Sequence, residues 1–277
     1  MESENSTAKT FTPSQSTTFM PPVIAVTNSA SVAAAVPAAT PIVPPMEASV
    51  ATEPLTTNPA TDITQVCFLV DESGSMHSIE DSTKANIIEC KQKLSADGEC
   101  YFSLYTFSSG YPNNPENTLN VRIDCVNSTE DLAFEYMPGG MTALYDAQMV
   151  GINHLRNRIQ GMDVAIRPSK IIFVTITDGE ENDSQNYTSA QVKERINHLK
   201  DNEDWQFAYI GANQDSFRSA GQLGVNAGGT LNYSATDEGI SFAMKSCSRA
   251  ISSYRRNMSQ NVEFTENTED TNQDDAQ

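Results

Sequence analysis

Between residues 62 and 257, short apolar runs alternate with longer stretches in which apolar residues recur every three or four positions. Short β-branched or alternating runs are typical of strands, and recurrence at the longer spacing is typical of amphipathic helices. The predicted strands are Gln65–Val70, Tyr101–Phe107, Leu119–Cys125, Lys170–Thr177, Trp205–Gly211 and Thr230–Tyr233. The predicted helices are Asp81–Leu94, Thr142–Ile159, Ser189–Lys200, Asp215–Leu223 and Asp237–Arg255.

Strands that alternate with helices predict parallel βαβ units with right-handed crossovers. Lys170–Thr177 (KIIFVTIT) is the most continuous β-branched run, so we expect it at the centre of the sheet. The link from Phe107 to Leu119 holds no helical pattern, which predicts an antiparallel pair at one edge. The fold class is therefore α/β, a doubly wound, mostly parallel six-stranded sheet with one antiparallel edge strand. In such sheets the functional site lies at the carboxyl ends of the strands.

The two ends of the chain lack these patterns. Residues 1–61 are rich in Ser, Thr, Pro and Ala, and residues 258–277 are acidic and polar. Neither segment holds enough large apolar groups to offset the entropy lost on ordering, so both are predicted to be disordered tails. The N-terminal tail is a passive extension, or alternatively a tether or docking motif. The predicted globular domain is residues 62–257.

Polar motifs follow the predicted strands at three places. They are Asp71-Glu72-Ser73-Gly74-Ser75-Met76, Gly139-Gly140-Met141-Thr142 and Thr177-Asp178-Gly179. Because the carboxyl ends of parallel strands share one edge, we expect the three motifs to lie together.

The residue types in these motifs suit a hard divalent cation, which prefers about six oxygen ligands. The predicted metal ligands are Asp71, Ser73, Ser75, Thr142 and Asp178. Five protein groups leave at least one coordination position open, and an open position on a hard cation attracts a carboxylate from another molecule.

A simpler interpretation exists for each group, since Ser, Thr and Asp also cap helices and begin turns. A cap needs one such residue, whereas Asp71, Ser73 and Ser75 supply three. The diglycine before Thr142 and the strand before Asp178 likewise favour metal binding.

The sequence D-x-S-G-S, with a distant Thr and a T-D-G, resembles the metal-ion-dependent adhesion site of von Willebrand factor type A (vWA) domains. The resemblance covers Thr64 to Arg255, and the tract Ile210–Asp215 is similar to the bacterial and phage intracellular branch of that family. It implies a Rossmann-like vWA domain that binds Mg²⁺ or Mn²⁺ and captures an Asp or Glu of a partner protein through the metal. By analogy with some members, affinity is coupled to movement of the last helix.

A partner-binding rim around the metal is predicted at Glu72, Gly140, Met141 and Glu181. For the acidic residues of this region, a solvated loop charge is the simpler interpretation. An acidic rim would require a partner with basic residues around its acidic anchor.

Composition narrows the partners and the compartment. The formal net charge of −19 disfavours nucleic acid and anionic membrane surfaces. Five cysteines without a C-x-x-C pair indicate neither a disulfide framework nor a zinc site, which suits a reducing, cytoplasmic compartment. The sequence contains no run of about 18 apolar residues, so no transmembrane helix is predicted. The acidic start Met1-Glu2-Ser3-Glu4 disfavours a secretory signal.

These observations favour a non-enzymatic, cation-dependent protein-binding module whose partner is a protein, for instance an ATPase or an assembly component. One alternative is a structural or accessory component of a phage or bacterial assembly. Another is a metal-dependent phosphohydrolase, which is disfavoured because no general base or second metal cluster is evident. Neither G-x-S-x-G nor G-x-G-x-x-G occurs.

Overall fold

A computed structural model describes Leu55, Thr57 and residues 62–109, 118–127, 132–212 and 215–264. Most of the link between Phe107 and Leu119, nearly all of the predicted N-terminal tail and residues 265–277 lie outside these residues. Within the described chain, no helix is both long and apolar enough to cross a membrane.

The described chain forms a six-stranded sheet in the order β3-β2-β1-β4-β5-β6. Its strands are β1 (Thr64–Asp71), β2 (Cys100–Phe107), β3 (Leu119–Asn127), β4 (Lys170–Thr177), β5 (Gln206–Ala212) and β6 (Thr230–Tyr233). Only β3 runs antiparallel, against β2 at the edge, and the other neighbouring strands are parallel. The predicted fold class is confirmed, with β4 and β1 as the two central strands.

Helices cover both faces of the sheet. They are α1 (Glu80–Ala96), α2 (Leu144–Gln160), α3 (Ser189–Glu203), α4 (Ser216–Leu223) and α5 (Asp237–Arg255). Apolar residues of α1 and α5 join one hydrophobic core, and those of α2, α3 and α4 join the other. The predicted helices all form, with ends that differ by up to three residues.

The apolar run of β1 is continuous because both faces of this strand are buried. Val66, Phe68 and Val70 pack into the core under α1 and α5, while Cys67 and Leu69 pack into the opposite core. Every residue of β1 is buried. Burial of each large apolar side chain contributes roughly 1.5–3 kcal/mol, so two-sided burial anchors the strand that carries Asp71 at its end.

Residues before and after the predicted domain in the sequence also pack against it. Leu55 is buried in the core under α2 and α3, and its backbone N–H lies 3.2 Å from Glu203 Oε1. After α5, Val262 is buried in the other core, and the N–H of Phe264 donates to the carbonyl of Gly228 at 2.8 Å.

Candidate functional site

Two aspartates meet at the carboxyl edge of the central strands. Asp71 is the last residue of β1, and Asp178 follows the last residue of β4. The strands are parallel neighbours with Val70 opposite Ile176, so their ends place both carboxylates at one point of the edge.

Hydroxyl groups connect the two carboxylates. Asp71 Oδ1 accepts from the backbone N–H of Ser73 at 2.7 Å, and Asp71 Oδ2 accepts from Thr177 Oγ1 at 2.6 Å. Ser75 Oγ donates to Asp178 Oδ1 at 2.6 Å and lies 3.1 Å from Ser73 Oγ. The loop after β1 therefore bridges the ends of two strands with its side chains.

Thr142 belongs to the same cluster. It lies in the loop before α2, and its side chain faces Gly179, the residue after Asp178. A methyl group placed on Gly179 would lie 3.6 Å from Thr142 Oγ1 and 3.8 Å from Ser75 Oγ. The structure thus brings together all five residues that the sequence predicts as metal ligands.

Thr177 is a participant that the sequence analysis missed. Its hydroxyl donates to Asp71 and also lies 3.2 Å from the backbone N–H of Gly179, so it joins the two motifs from the buried end of β4. The available signal was a hydroxyl residue at the end of a mostly apolar strand, directly before an acid.

The site carries negative charge away from water. Asp71 and Asp178 are both buried, and within the described chain no Lys, Arg or His forms an ion pair with either. Burial raises the pKa of Asp71 from 3.8 to about 6, although hydrogen bonds from Thr177 and Ser73 oppose the shift. Burial also raises the pKa of Asp178, against the hydrogen bond from Ser75. A bound cation would relieve both penalties.

The donor set fits a hard cation. Carboxylate and hydroxyl oxygens suit Mg²⁺ and Mn²⁺, whereas softer metals favour sulfur and imidazole ligands. The described residues contain no group of three or more His, Cys, Asp or Glu placed to hold a metal. A cation held here must therefore rely on the hydroxyls of Ser73, Ser75 and Thr142 beside the two carboxylates.

The family model for the von Willebrand factor type A domain matches residues 65–246. The chain belongs to the von Willebrand factor type A family. A search of curated protein sequences found no match.

The chain is similar to several solved structures at low sequence identity. The VWA domain of SpRpn10 is 11% identical with a TM-score of 0.46, over 65% of this chain and 92% of that one. The pilus adhesin SpaC from Lactobacillus rhamnosus GG, in its open conformation, is 12% identical with a TM-score of 0.50, over 71% and 31%. Proximal thread matrix protein 1 from the mussel byssus is 11% identical with a TM-score of 0.46. That match covers 69% of this chain but only 46% of the mussel protein.

A tight loop–loop contact orders the site of this VWA domain. The N–H of Gly74 donates to the carbonyl of Gly140 at 3.1 Å, and the N–H of Gly139 donates to the carbonyl of Glu72 at 2.8 Å. Gly140 has φ +76°, and a side chain there would place its Cβ 2.4 Å from the carbonyl oxygen of Ser109. Only glycine fits this position, which explains one half of the diglycine.

Glu72 does not lie on the rim. It is only 1% exposed, its carboxylate oxygens lie 2.8 and 2.9 Å from Arg122 Nη2, and it accepts from the N–H of Met137 at 2.7 Å. Both the predicted partner contact and the simpler interpretation as a solvated charge are wrong for Glu72, because Arg122 of β3 reaches across the edge and buries it.

The other predicted rim residues have different surroundings. Gly140 and Met141 are exposed at the surface. Glu181 is partly buried, and its carboxylate accepts hydrogen bonds from the backbone of Tyr145 and from Ser184. The structure gives Glu181 a role inside the domain, and its contact with a partner stays a prediction.

Several large apolar side chains near the start of α2 and in α4 are exposed to solvent. Met137 and Met141, before α2, are 69% and 49% exposed, and Phe217 in the first turn of α4 is 52% exposed. A cavity of about 150 Å³ opens between α2, α4 and the loop after β4, lined in part by Tyr145, Glu180 and Arg218. The site is therefore a polar centre on a partly apolar surface.

Proposed function

We propose that this VWA domain is a non-enzymatic, divalent-cation-dependent protein-binding module. Asp71, Ser73, Ser75, Thr142 and Asp178 form a metal-ion-dependent adhesion site for Mg²⁺ or Mn²⁺. The bound cation supplies a coordination position for an Asp or Glu carboxylate of a partner protein.

The observation that carries the proposal is the buried pair Asp71 and Asp178, whose carboxylates accept hydrogen bonds from hydroxyl groups. Among the described residues, no basic side chain forms an ion pair with either carboxylate. Two carboxylates withdrawn from water carry a large desolvation penalty unless they are neutralised. A divalent cation offsets their charge, and the neutral hydroxyls add ligands without further negative charge.

The shape of the surface supports a protein partner over a small molecule. The adjoining cavity of about 150 Å³ is smaller than pockets for organic ligands, which span roughly 300–1,000 Å³. Exposed Met137, Met141 and Phe217 offer apolar contact area instead. Such contacts are needed, because one metal–carboxylate link alone gives modest affinity.

The partner's charge follows from the acidic chain. With a net charge of −19 and Glu180 exposed beside the site, a partner gains from basic residues around its acidic anchor. An ATPase or an assembly component of a bacterial or phage system is the class of partner we propose, with the cytoplasm as its compartment.

A pulldown from the native source tests the metal bridge. The tagged chain should recover its partner with Mg²⁺ present and lose it when a chelator is added. Asp178→Ala should abolish the recovery, whereas Asp201→Ala, which removes an exposed acid at the far end of α3, should not. Recovery that is equal for wild type and Asp178→Ala would overturn the proposal.

A further inference from the structure

The loop after Asp178 is fastened to the start of α2 by a buried carboxylate. Asp146, in the first turn of α2, accepts hydrogen bonds from three consecutive backbone N–H groups. These belong to Gln185 at 2.9 Å, Asn186 at 3.0 Å and Tyr187 at 2.8 Å. The side-chain amide of Asn186 adds a further bond at 2.9 Å. A carboxylate that accepts this many bonds fixes the path of the loop with little freedom.

A second carboxylate, which belongs to the loop itself, bonds the loop to the start of α2. Glu181 accepts from the N–H groups of Asp183 at 2.9 Å and Ser184 at 2.6 Å, and from the N–H of Tyr145 at 3.0 Å. Ser184 Oγ lies 3.0 Å from the N–H of Tyr145 and 3.1 Å from that of Asp146. The loop thereby satisfies helix N–H groups that have no partner within the helix.

The backbone of Thr142 is bonded to the same loop. Its N–H donates to Asn182 Oδ1 at 2.9 Å, and its carbonyl accepts from the N–H groups of Asn182 at 3.0 Å and Asp183 at 3.2 Å. We call the side chains of Asp146, Glu181, Asn182 and Ser184 the clamp.

The clamp joins the two halves of the metal site. Asp146 lies four residues after Thr142, and Asn182 lies four residues after Asp178. The structure therefore holds Thr142 and Asp178 at a set separation through contacts that involve neither of the two site side chains.

A set separation matters for the choice of cation. Mg²⁺ requires near-ideal octahedral geometry with oxygens at about 2.0–2.1 Å, whereas Ca²⁺ accepts six to eight oxygens at about 2.3–2.6 Å in flexible arrangements. A rigid frame favours the smaller ion, and a loosened frame removes that preference while it still permits the larger ion.

We propose that Asp146 is a positioning residue that sets the selectivity of the site for Mg²⁺ over Ca²⁺ through the clamp. The inference rests on the proposed metal site, and it adds what decides which cation the site prefers. A merely structural Asp146 would change the stability of the fold and leave the ratio of the two affinities unchanged.

The test compares Asp146→Asn with wild type by calorimetric titration of the full chain with MgCl₂ and with CaCl₂. An asparagine keeps the size of the side chain but replaces one acceptor oxygen with an NH₂ that faces N–H donors. Changes to groups that orient metal ligands cost about 10–100-fold in affinity, so we expect Mg²⁺ affinity to fall by about that factor. Ca²⁺ affinity should change by less than about threefold, so the affinity ratio should fall about tenfold or more.

Two further variants keep the test decisive. Asn182→Ala removes an exposed clamp residue and should shift the ratio of Mg²⁺ to Ca²⁺ affinity in the same direction. This variant takes the place of Asp146→Asn if Asp146→Asn does not fold. Glu203→Gln is the matched control, because it perturbs a buried carboxylate that pairs with Arg156 at the other end of the domain. It should lower stability with no change in the ratio.

The possible results distinguish the positioning role of Asp146 from the metal site itself. Equal loss of Mg²⁺ and Ca²⁺ affinity, or no loss of either, in the clamp variants would overturn the positioning role and leave the metal site standing. Failure of the wild-type chain to bind either cation would overturn the proposed function itself.

Discussion

At the scale of single residues, Asp71 is the carboxylate of the site whose pKa burial raises to about 6. Its carboxylate is fully buried, and its pKa is raised despite hydrogen bonds from Ser73 and Thr177. The backbone of β1 holds it there, because every other residue of that strand is also buried. The binding of a cation and the ionisation of Asp71 are therefore linked.

The pKa of Asp71 predicts a pH dependence of stability in the metal-free chain. Below pH 3.8 the group is protonated in the folded and the unfolded states, whereas between pH 3.8 and about 6 only the folded state keeps the proton. The free energy of unfolding should therefore fall as pH rises through this window, by up to about 3 kcal/mol. Asp71→Asn should lack this contribution.

Urea unfolding with chelator present, at pH values from about 4 to 7, measures this difference. The stability of Asp71→Asn minus that of wild type should increase across the window and level off above about pH 6. A difference that stays constant with pH would show that Asp71 ionises normally in the folded chain.

The diglycine before Thr142 supplies a matched pair of substitutions. Gly140→Ala forces a side chain into a left-handed backbone position and against Ser109, so it should cost about 1–3 kcal/mol and weaken Mg²⁺ binding. Gly139→Ala meets no heavy atom within 4 Å and should cost much less. Urea unfolding and Mg²⁺ titration of both variants check this, and equal effects would contradict it.

At the scale of elements, the edge strand β3 supports the metal loop from a distance. Its Arg122 donates from Nε to Thr106 Oγ1 at 2.9 Å and pairs with the buried Glu72, which sits between Asp71 and Ser73. Since the pairing neutralises Glu72, the buried negative charge left at the ends of β1 and β4 is that of Asp71 and Asp178. Two negative charges match one divalent cation.

Replacing Arg122, the positively charged member of this pair, should lower the free energy of unfolding substantially. Arg122→Met leaves the Glu72 carboxylate buried without its partner, which typically destabilises a fold by about 3–5 kcal/mol. Arg158→Met is the control, because Arg158 is half exposed and lies 3.4 Å from Asp124, so its loss should cost less than about 1 kcal/mol. Chemical denaturation of both variants measures the contrast, and similar losses would argue against a supporting role for Arg122.

At the scale of the whole molecule, buried polar contacts lie at both ends of the sheet. The carboxyl edge holds the acids and the clamp, while Arg156 and Glu203 form a buried pair 2.8 Å apart near the other end. That pair also receives the N–H of Leu55, so the packed chain begins before the predicted domain. Single apolar anchors such as Leu55 and Val262 have no periodic neighbours, and pattern analysis therefore passes over them.

The sequence by itself determined the strands, the helices, the antiparallel edge and the five residues that meet at the site. These features are encoded locally, because side-chain periodicity and turn residues act over a few positions, and the crossover rule then places the strand ends together. Asp71 and Asp178 could be paired in advance because both follow strands of the same parallel sheet.

Only the tertiary structure decided what the surrounding acids do. The sequence placed Glu72 and Glu181 on a predicted partner-binding rim, or more simply in solvent, and it indicated no role for Asp146. In the fold each of these carboxylates accepts hydrogen bonds from groups far along the chain, which include Arg122, Tyr145 and Tyr187. Whether a carboxylate is solvated or buried depends on which distant donors the fold brings to it. That is a property of packing, and no local pattern carries it.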